Sequence, residues 1–150
     1  MDRPDPGYDK SMSALIDYDM VQVLHIDDNR GDLELTRAAF KDCCPEVLYR
    51  GLADPLEGLK YLGECATCGA PSPSLVVLDL NMPRIRGIDV LAFIRRHAVL
   101  NGLPVVVLTT STRTSEVEEC RRLGATAVLT KPASYDELVD LVRGMIRHLS

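Results

Sequence analysis

A short apolar run in the middle of the chain, residues 75–78 (LVVL), ends directly in a carboxylate, Asp79. An apolar run without polar alternation is typical of a strand that is covered on both faces, as in a parallel sheet. A charged residue at the carboxyl end of such a strand lies where open α/β sheets place their ligands. Asp79 can also begin an ordinary turn, since Asn81 and Pro83 follow it. The rest of the chain decides between these two interpretations.

Apolar segments of this kind alternate with helical patterns along the sequence. We predict strands at 21–26, 46–51, 75–78, 104–109 and 125–130, and helices at about 31–43, from 55, 88–97, 115–123 and from 135. Strands that alternate with helices through short connections predict an α/β fold with a doubly wound parallel sheet. We expect the flavodoxin-like strand order 2-1-3-4-5 with five helices. Residues 1–18 are expected to form a flexible N-terminal arm, and residues 19–150 the folded domain.

The helical segments carry boundary signals and apolar stripes. Asp54 followed by Pro55 is a typical helix start, and Ser134 with Glu137 forms the sequence pattern of a capping box. Residues 63–74 are rich in Gly, Pro, Cys and Ser, which predicts a loop. The faces expected to pack on the sheet are Leu35, Ala38 and Ala39 in the first helix, with Leu33, Thr36 and Phe40 beside them, Leu56, Leu59 and Leu62 in the second, and Leu138, Leu141, Val142, Met145, Ile146 and Leu149 in the last.

Composition restricts the function classes. The net charge of -5 argues against a general nucleic-acid binder, and 46% hydrophobic residues fit an ordinary globular domain. We expect a cytoplasmic protein, because no apolar run approaches the ~20 residues of a membrane helix and the first residues lack a hydrophobic signal core. Only Ser150 follows Leu149, so we expect no output domain and no membrane contact.

Five cysteines, an odd number, make a disulfide framework improbable. Cys65 and Cys68 have the spacing of half a zinc site. No second such pair exists, so we favour free thiols in a loop over structural zinc.

Reactive side chains follow four of the five predicted strands. Asp27 and Asp28 follow the first strand and Asp79 the third, and the fourth and fifth end at Thr109 and Lys131. In a parallel sheet all strand-to-helix loops lie at one edge, and the strands involved are neighbours in the order 2-1-3-4-5. Each residue has a plain structural explanation by itself, but four coincidences are less probable than one site.

The expected chemistry follows from the charges. Two carboxylates about 4 Å apart repel each other by roughly 4 kcal/mol at an effective dielectric near 20, so three of them require protonation or a cation. Carboxylate ligands in an open cleft suit Mg²⁺. Together, Mg²⁺ and Lys131 would neutralise phosphoryl oxygens, with Asp79 as the nucleophile and the Thr109 hydroxyl in contact with the acyl phosphate.

These residues, in this order and at these strand ends, resemble the receiver domains of two-component response regulators from about Val21 to Leu149. The resemblance implies that a sensor histidine kinase phosphorylates Asp79. It also implies that Mg²⁺, with Mn²⁺ as an alternative, is bound by Asp28, Asp79 and the backbone carbonyl of Asn81, with Asp27 assisting. Thr109 and Lys131 would contact the phosphoryl group in the active state. We expect slow self-hydrolysis of that group and no turnover of external phosphoesters.

More narrowly, the 63–74 loop and the run at 105–111 resemble stand-alone regulators associated with bacterial phytochromes, which makes a phytochrome-type kinase one candidate partner. Many receivers carry Tyr or Phe three residues before the lysine; here that residue is Val128, which excludes an aromatic side-chain switch. Val128 and Val139 could contribute to a homodimer surface at the C-terminal helix, or simply widen the core contact.

Other functions remain as alternatives. A phosphate sink or a phosphorelay intermediate would use the same site. A flavodoxin-like cofactor carrier would need Ser, Thr and Gly after the first strand, where Asp27 and Asp28 would repel a phosphate. An aspartyl-phosphate hydrolase needs a second acid, and Asn81 cannot serve as one. We therefore expect a phosphoacceptor switch rather than an enzyme.

Overall fold

The structure, a computed structural model, describes residues 21–111, 113–147 and 149. Five parallel strands form one sheet in the order β2-β1-β3-β4-β5. This confirms the predicted fold class and strand order. The strands are β1 (Gln22–Ile26), β2 (Leu48–Leu52), β3 (Leu75–Leu78), β4 (Val105–Thr109) and β5 (Ala127–Thr130).

A helix follows each strand, and the helices cover both faces of the sheet. They are α1 (Arg30–Cys43), α2 (Pro55–Thr67), α3 (Gly87–Arg96), α4 (Thr114–Arg122) and α5 (Tyr135–Arg147). Alternate residues of the central strands enter two separate cores. Leu24, Val76 and Val107 pack towards α2, α3 and α4, whereas Val23 and Val77 pack towards α1 and α5. This explains why the central strands are apolar without alternation.

The register of the strands sets the positions of the residues that follow them. Ile26 pairs with Leu78, so the next residues of β1 and β3 are neighbours at the carboxyl edge. Thr109, the last residue of β4, pairs with Thr130, the last residue of the edge strand β5. The four polar strand ends therefore face the same region.

The predicted start of α2 at Asp54 is confirmed, whereas the capping box predicted at the start of α5 forms only in part. The side chain of Asp54 accepts a hydrogen bond from the backbone N–H of Leu56 at the start of α2. Ser134 Oγ accepts from the backbone N–H of Glu137, but the Glu137 carboxylate accepts from the N–H of Ala133, one residue before the position that a capping box requires.

The expected helix faces are confirmed in part. Leu35 is 52% exposed and Leu56 is 47% exposed, and Ala38 is exposed as well, so these members of the predicted faces were wrong. Ala39 and Leu62 are buried as expected. The buried residues are Leu33, Thr36, Ala39 and Phe40 in α1, and Pro55, Gly58, Leu62 and Cys65 in α2. In α5 the centre of the predicted stripe is confirmed, with Leu138, Val142 and Met145 buried.

The predicted loop at 63–74 was also wrong in its first part. Helix α2 continues through Gly63 to Thr67, where the Thr67 hydroxyl donates to the Gly63 carbonyl, and only residues 68–74 connect it to β3. Burial of Leu62 and Cys65 outweighs the low helix propensity of Gly63.

Residues 1–18, expected to form an arm, lie outside the described residues. None of the helices in the described part of the chain has both the length and the apolar character needed to cross a membrane.

Candidate functional site

Three aspartates meet at the carboxyl ends of β1 and β3. One carboxylate oxygen from each of Asp27, Asp28 and Asp79 lies within 4.8 Å of the others. Asp27 is fully buried and accepts a hydrogen bond from the N–H of Asn29, while Asp28 is exposed. A group of carboxylates with one member open to solvent suits a hard divalent cation that keeps part of its hydration shell.

Asp79 is the aspartate that ends β3, and its side chain is 9% exposed. Its Oδ1 accepts a hydrogen bond from the backbone N–H of Leu80 at 2.9 Å, which fixes the carboxylate orientation. Burial, and then the charge of Asp27, raise the pKa of Asp79 to about 6. Burial likewise raises the pKa of Asp27. A bound cation would favour the ionised forms of both groups.

Lys131 brings a positive charge from the end of β5. Its Nζ lies 2.9 Å from Asp27 Oδ2, 2.6 Å from Asp32 Oδ2 and 3.8 Å from Asp79 Oδ1. Burial disfavours the ammonium, but the hydrogen bonds to Asp27 and Asp32 outweigh this effect and raise the pKa of Lys131 to about 12. Lys131 is therefore a permanent cation beside the three aspartates.

Thr109 and Asn81 lie at the same edge. Thr109 is buried, and its Oγ1 accepts a hydrogen bond from the N–H of Ser111. The backbone carbonyl of Thr109 accepts from the N–H of Lys131, which ties β4 to β5 at the site. Asn81 is exposed and lines a surface cavity of about 400 Å³, whose other lining residues are Thr110, Ser111, Arg113 and Glu116. Asn81 is two residues beyond Asp79 in the chain.

Sequence reasoning missed three residues at this edge. Asp32 contacts Lys131 from the first turn of α1. His25 lies under the site with its Nε2 3.9 Å from Asp27 Oδ2. A Cβ on Gly87 would lie 2.0 Å from the backbone oxygen of Asp79. Only Asp32 had a usable signal, since the first turn of α1 belongs to the same strand-to-helix connection as Asp28.

His25 is a buried histidine with one unsatisfied nitrogen. Its Nδ1 lies 2.6 Å from the hydroxyl of Tyr49, which also lies within hydrogen-bond distance of the carbonyl of Leu33. The one proton of that hydroxyl can be donated to the Leu33 carbonyl or to His25 Nδ1, so the direction of the His25–Tyr49 bond follows the tautomer of the ring. Among the described residues His25 Nε2 has no hydrogen-bond partner. Burial, and then the charge of Lys131, lower the pKa of His25 to about 3, so the ring is neutral.

The Cys65–Cys68 pair does not form a metal site with other ligands. Cys65 is buried in α2 and donates to the carbonyl of Pro71, whereas Cys68 is exposed at the helix end. Within the described ranges, three or more potential metal ligands come together only in the cluster of Asp27, Asp28 and Asp79. Cys65 lies in a helix and not in the predicted loop, whereas Cys68 follows the end of that helix.

The fold and the polar strand ends together define a class of signalling domain. The family model described as the response regulator receiver domain matches residues 23–143. The chain therefore belongs to the response regulator receiver domain family.

Individual relatives are similar over most of their length. Response regulator Rcp1 of Synechocystis sp. is 32% identical over 124 residues, which cover 82% of this chain and 84% of that protein. The crystal structure of the phosphorylated cyanobacterial phytochrome response regulator RcpA has a TM-score of 0.78 and 28% identity, covering 87% of this chain and 94% of the other. The crystal structure of the Mn²⁺-bound form of Rcp1 has a TM-score of 0.74 and 31% identity, and the match covers 83% of this chain and 91% of the other. A cyanobacterial phytochrome response regulator is thus among the similar structures.

Proposed function

We propose that this protein is a response regulator whose receiver domain accepts a phosphoryl group on Asp79 from a partner histidine kinase. One observation carries this proposal: the Asp79 carboxylate is grouped with two aspartates within 4.8 Å and lies 3.8 Å from the ammonium of Lys131. A nucleophile flanked by a cation site and a fixed cation has what phosphoryl transfer requires. The domain that carries this function is residues 19–150.

In this proposal each residue has a defined role. An oxygen of Asp79 attacks phosphorus, the P–O bond forms, and the P–N bond to the kinase histidine breaks as that imidazole takes up a proton. Asp28, Asp79 and the backbone carbonyl of Asn81 would hold Mg²⁺ or Mn²⁺, with Asp27 assisting. The ion would supply positive charge to the phosphoryl oxygens during transfer. Thr109 and Lys131 would bind the phosphoryl group after transfer.

Two features favour a phosphoacceptor over the other functions considered. The three aspartates repel the phosphate of a flavodoxin-type cofactor, which needs backbone N–H donors after β1. The residue two positions beyond Asp79 is Asn81, an amide that cannot serve as a general acid. We therefore propose self-phosphotransfer with slow self-dephosphorylation, and no turnover of external phosphoesters.

The first test uses acetyl phosphate with Mg²⁺ and intact-mass spectrometry. We expect the wild-type protein to gain one phosphoryl group and Asp79→Asn to gain none. Asp140→Asn is a matched control, because Asp140 is exposed on α5 and forms an ion pair with Arg143, away from the site. Full labelling of Asp79→Asn at the wild-type rate would refute the site assignment.

The similarity to Rcp1 and RcpA supports a phytochrome-type kinase as the partner. Radiolabelled phosphotransfer from purified phytochrome-type kinases should show rapid transfer to this protein and none to Asp79→Asn. Onward transfer to a histidine phosphotransfer protein would identify a phosphorelay intermediate, whereas rapid loss to water would identify a phosphate sink. A long-lived phosphoprotein would favour signalling by protein contact.

We also propose that the protein forms a homodimer beside α5. Strand β5 is an edge of the sheet, with Val128 partly buried on one side and Val139 partly buried against the α1–α5 core on the other. An edge strand and a partly covered apolar border could bury surface against a second copy. Sedimentation velocity with and without phosphorylation would test this, and a monomer in both states would refute it.

A further inference from the structure

The closest contact of Lys131 is to a carboxylate outside the aspartate cluster. The distance from Lys131 Nζ to Asp32 Oδ2 is 2.6 Å, whereas that to Asp79 Oδ1 is 3.8 Å. Asp27 accepts a second hydrogen bond from the same ammonium at 2.9 Å. Two of the three N–H donors of Lys131 are therefore used by residues of β1–α1, and neither bond goes to the phosphoacceptor.

Asp32 is held firmly in this position. Its backbone N–H donates to Asn29 Oδ1 at 3.0 Å, which caps the start of α1. Its carbonyl accepts from the hydroxyl of Thr36 at 2.8 Å. The carboxylate lies in the first turn of the helix, where the helix dipole favours negative charge. The Asp32–Lys131 pair is thus built into the fold, and Lys131 is only 15% exposed.

As long as Asp27 and Asp32 keep their bonds to Lys131, a phosphoryl group on Asp79 can use only the third N–H donor of that ammonium. The group adds about two negative charges, and Asp32 both repels these charges and attracts the ammonium that would neutralise them. We propose that Asp32 is a positioning residue that holds Lys131 towards α1 and thereby lowers the affinity of the site for a phosphoryl group on Asp79. This inference rests on the proposed function of Asp79.

The test measures the binding of beryllium fluoride, a tetrahedral phosphoryl mimic that coordinates a carboxylate oxygen. NMR titrations at saturating Mg²⁺ would compare wild type with Asp32→Asn, which keeps the side-chain shape but removes the charge. We expect Asp32→Asn to bind about fivefold more tightly, the size of effect typical for one partly exposed charge pair. Misfolding could not produce such a gain, because it would weaken binding.

Two variants control for charge and for side-chain identity. Glu34→Gln makes the same change in net charge on α1, but the Glu34 side chain is 77% exposed and pairs with Arg37. It should bind with wild-type affinity. Asp32→Glu keeps the carboxylate and should restore affinity close to that of wild type. The Mg²⁺ affinity of each variant is measured separately, so that saturation is maintained.

The outcomes separate this inference from the proposed function. If wild type binds the mimic and Asp32→Asn binds equally or more weakly, the positioning role of Asp32 is refuted while the role of Asp79 stands. An equal gain in Glu34→Gln would also refute it, because the effect would then reflect net charge. If wild type neither binds the mimic nor accepts a phosphoryl group, the proposed function itself falls.

Discussion

Two buried titratable residues at the site have shifted pKa values, and the shifts run in opposite directions: the pKa of Asp79 is raised and that of His25 is lowered. Burial keeps Asp79 protonated to higher pH than usual and keeps His25 neutral to lower pH than usual. In both cases the folded protein disfavours the charged form, because the site lies over a dry core. Under the proposed function, this cost follows from fixing the Asp79 nucleophile near Lys131. The two residues should therefore give opposite slopes of stability against pH.

The pKa of Asp79 rises from 3.8 to about 6 on folding. Between these values the folded state binds more protons than the unfolded state, so this group reduces stability as pH rises from about 4 to 6. Without metal at pH 7, Asp79→Asn should raise the free energy of unfolding by about 2–3 kcal/mol. Urea denaturation at pH 4, 5, 6 and 7 would measure this. Parallel pH profiles for wild type and Asp79→Asn would contradict the raised pKa.

The pKa of His25 falls from 6.5 to about 3 on folding. Below pH 6.5 the unfolded state takes up a proton that the folded state refuses, so this group reduces stability as pH falls towards 3. The free energy of unfolding of His25→Leu, measured relative to that of wild type, should therefore increase by on the order of 3 kcal/mol when the pH is lowered from 7 to 4. Thermal unfolding followed by circular dichroism at both pH values tests this. An unchanged pH dependence would show that His25 is not the responsible group.

At the scale of elements, the start of α3 is pressed against the end of β3. The N–H of Gly87 donates to the carbonyl of Leu80 at 2.8 Å, so the helix begins directly on the connection that carries Asp79. A Cβ at position 87 would lie 2.0 Å from the Asp79 backbone oxygen and 2.8 Å from the Leu80 Cα. Both neighbours are backbone atoms, which cannot rotate away. Gly87 therefore fixes the height at which Asp79 emerges from the sheet.

Gly87→Ala should lower the free energy of unfolding by about 3 kcal/mol, as expected for overpacking against backbone. It should also slow phosphorylation by acetyl phosphate, because Asp79 would be displaced. Gly144→Ala is the matched control: position 144 lies in α5 with no atom within 4 Å of the added Cβ. That change should stabilise the protein by about 0.5–1 kcal/mol. Equal effects of the two substitutions in urea denaturation would contradict this interpretation of Gly87.

At the scale of the molecule, the site joins elements that are far apart in the chain. Lys131 connects β5 to β1 and α1, and the Tyr135 hydroxyl donates to Asp42 at 2.5 Å between α5 and α1. A charge placed on Asp79 therefore acts on a contact between α1 and the β5–α5 connection. Such a contact is a physical route by which phosphorylation could change the surface beside α5.

Metal binding should stabilise the whole fold, because the aspartates that hold it are brought together only in the native state. At an Mg²⁺ concentration about 100 times the dissociation constant, the gain is about 2.7 kcal/mol. Differential scanning calorimetry should show a rise in Tm with Mg²⁺ for wild type and for Asp140→Asn. Asp28→Asn should show a much smaller rise. Equal rises in all three proteins would place the ion elsewhere.

The sequence alone determined the order of the elements and the polar residues at the ends of four of the five strands. Apolar runs without alternation required a sheet covered on both faces, and Asp27, Asp79 and Lys131 were identified from their positions after such runs. These features are local, because a strand end and its following side chain are adjacent in the chain. Their common edge then follows from the parallel direction of all strands.

Only the tertiary structure decided which helix faces are buried and what surrounds the site. Leu35 and Leu56 are exposed because the packing of α1 and α2 on the sheet selects other residues. The contact of Asp32 with Lys131 spans 99 positions, and the unsatisfied nitrogen of His25 depends on packing around it. Such properties come from side chains that meet only after the chain has folded, so no pattern within one segment encodes them.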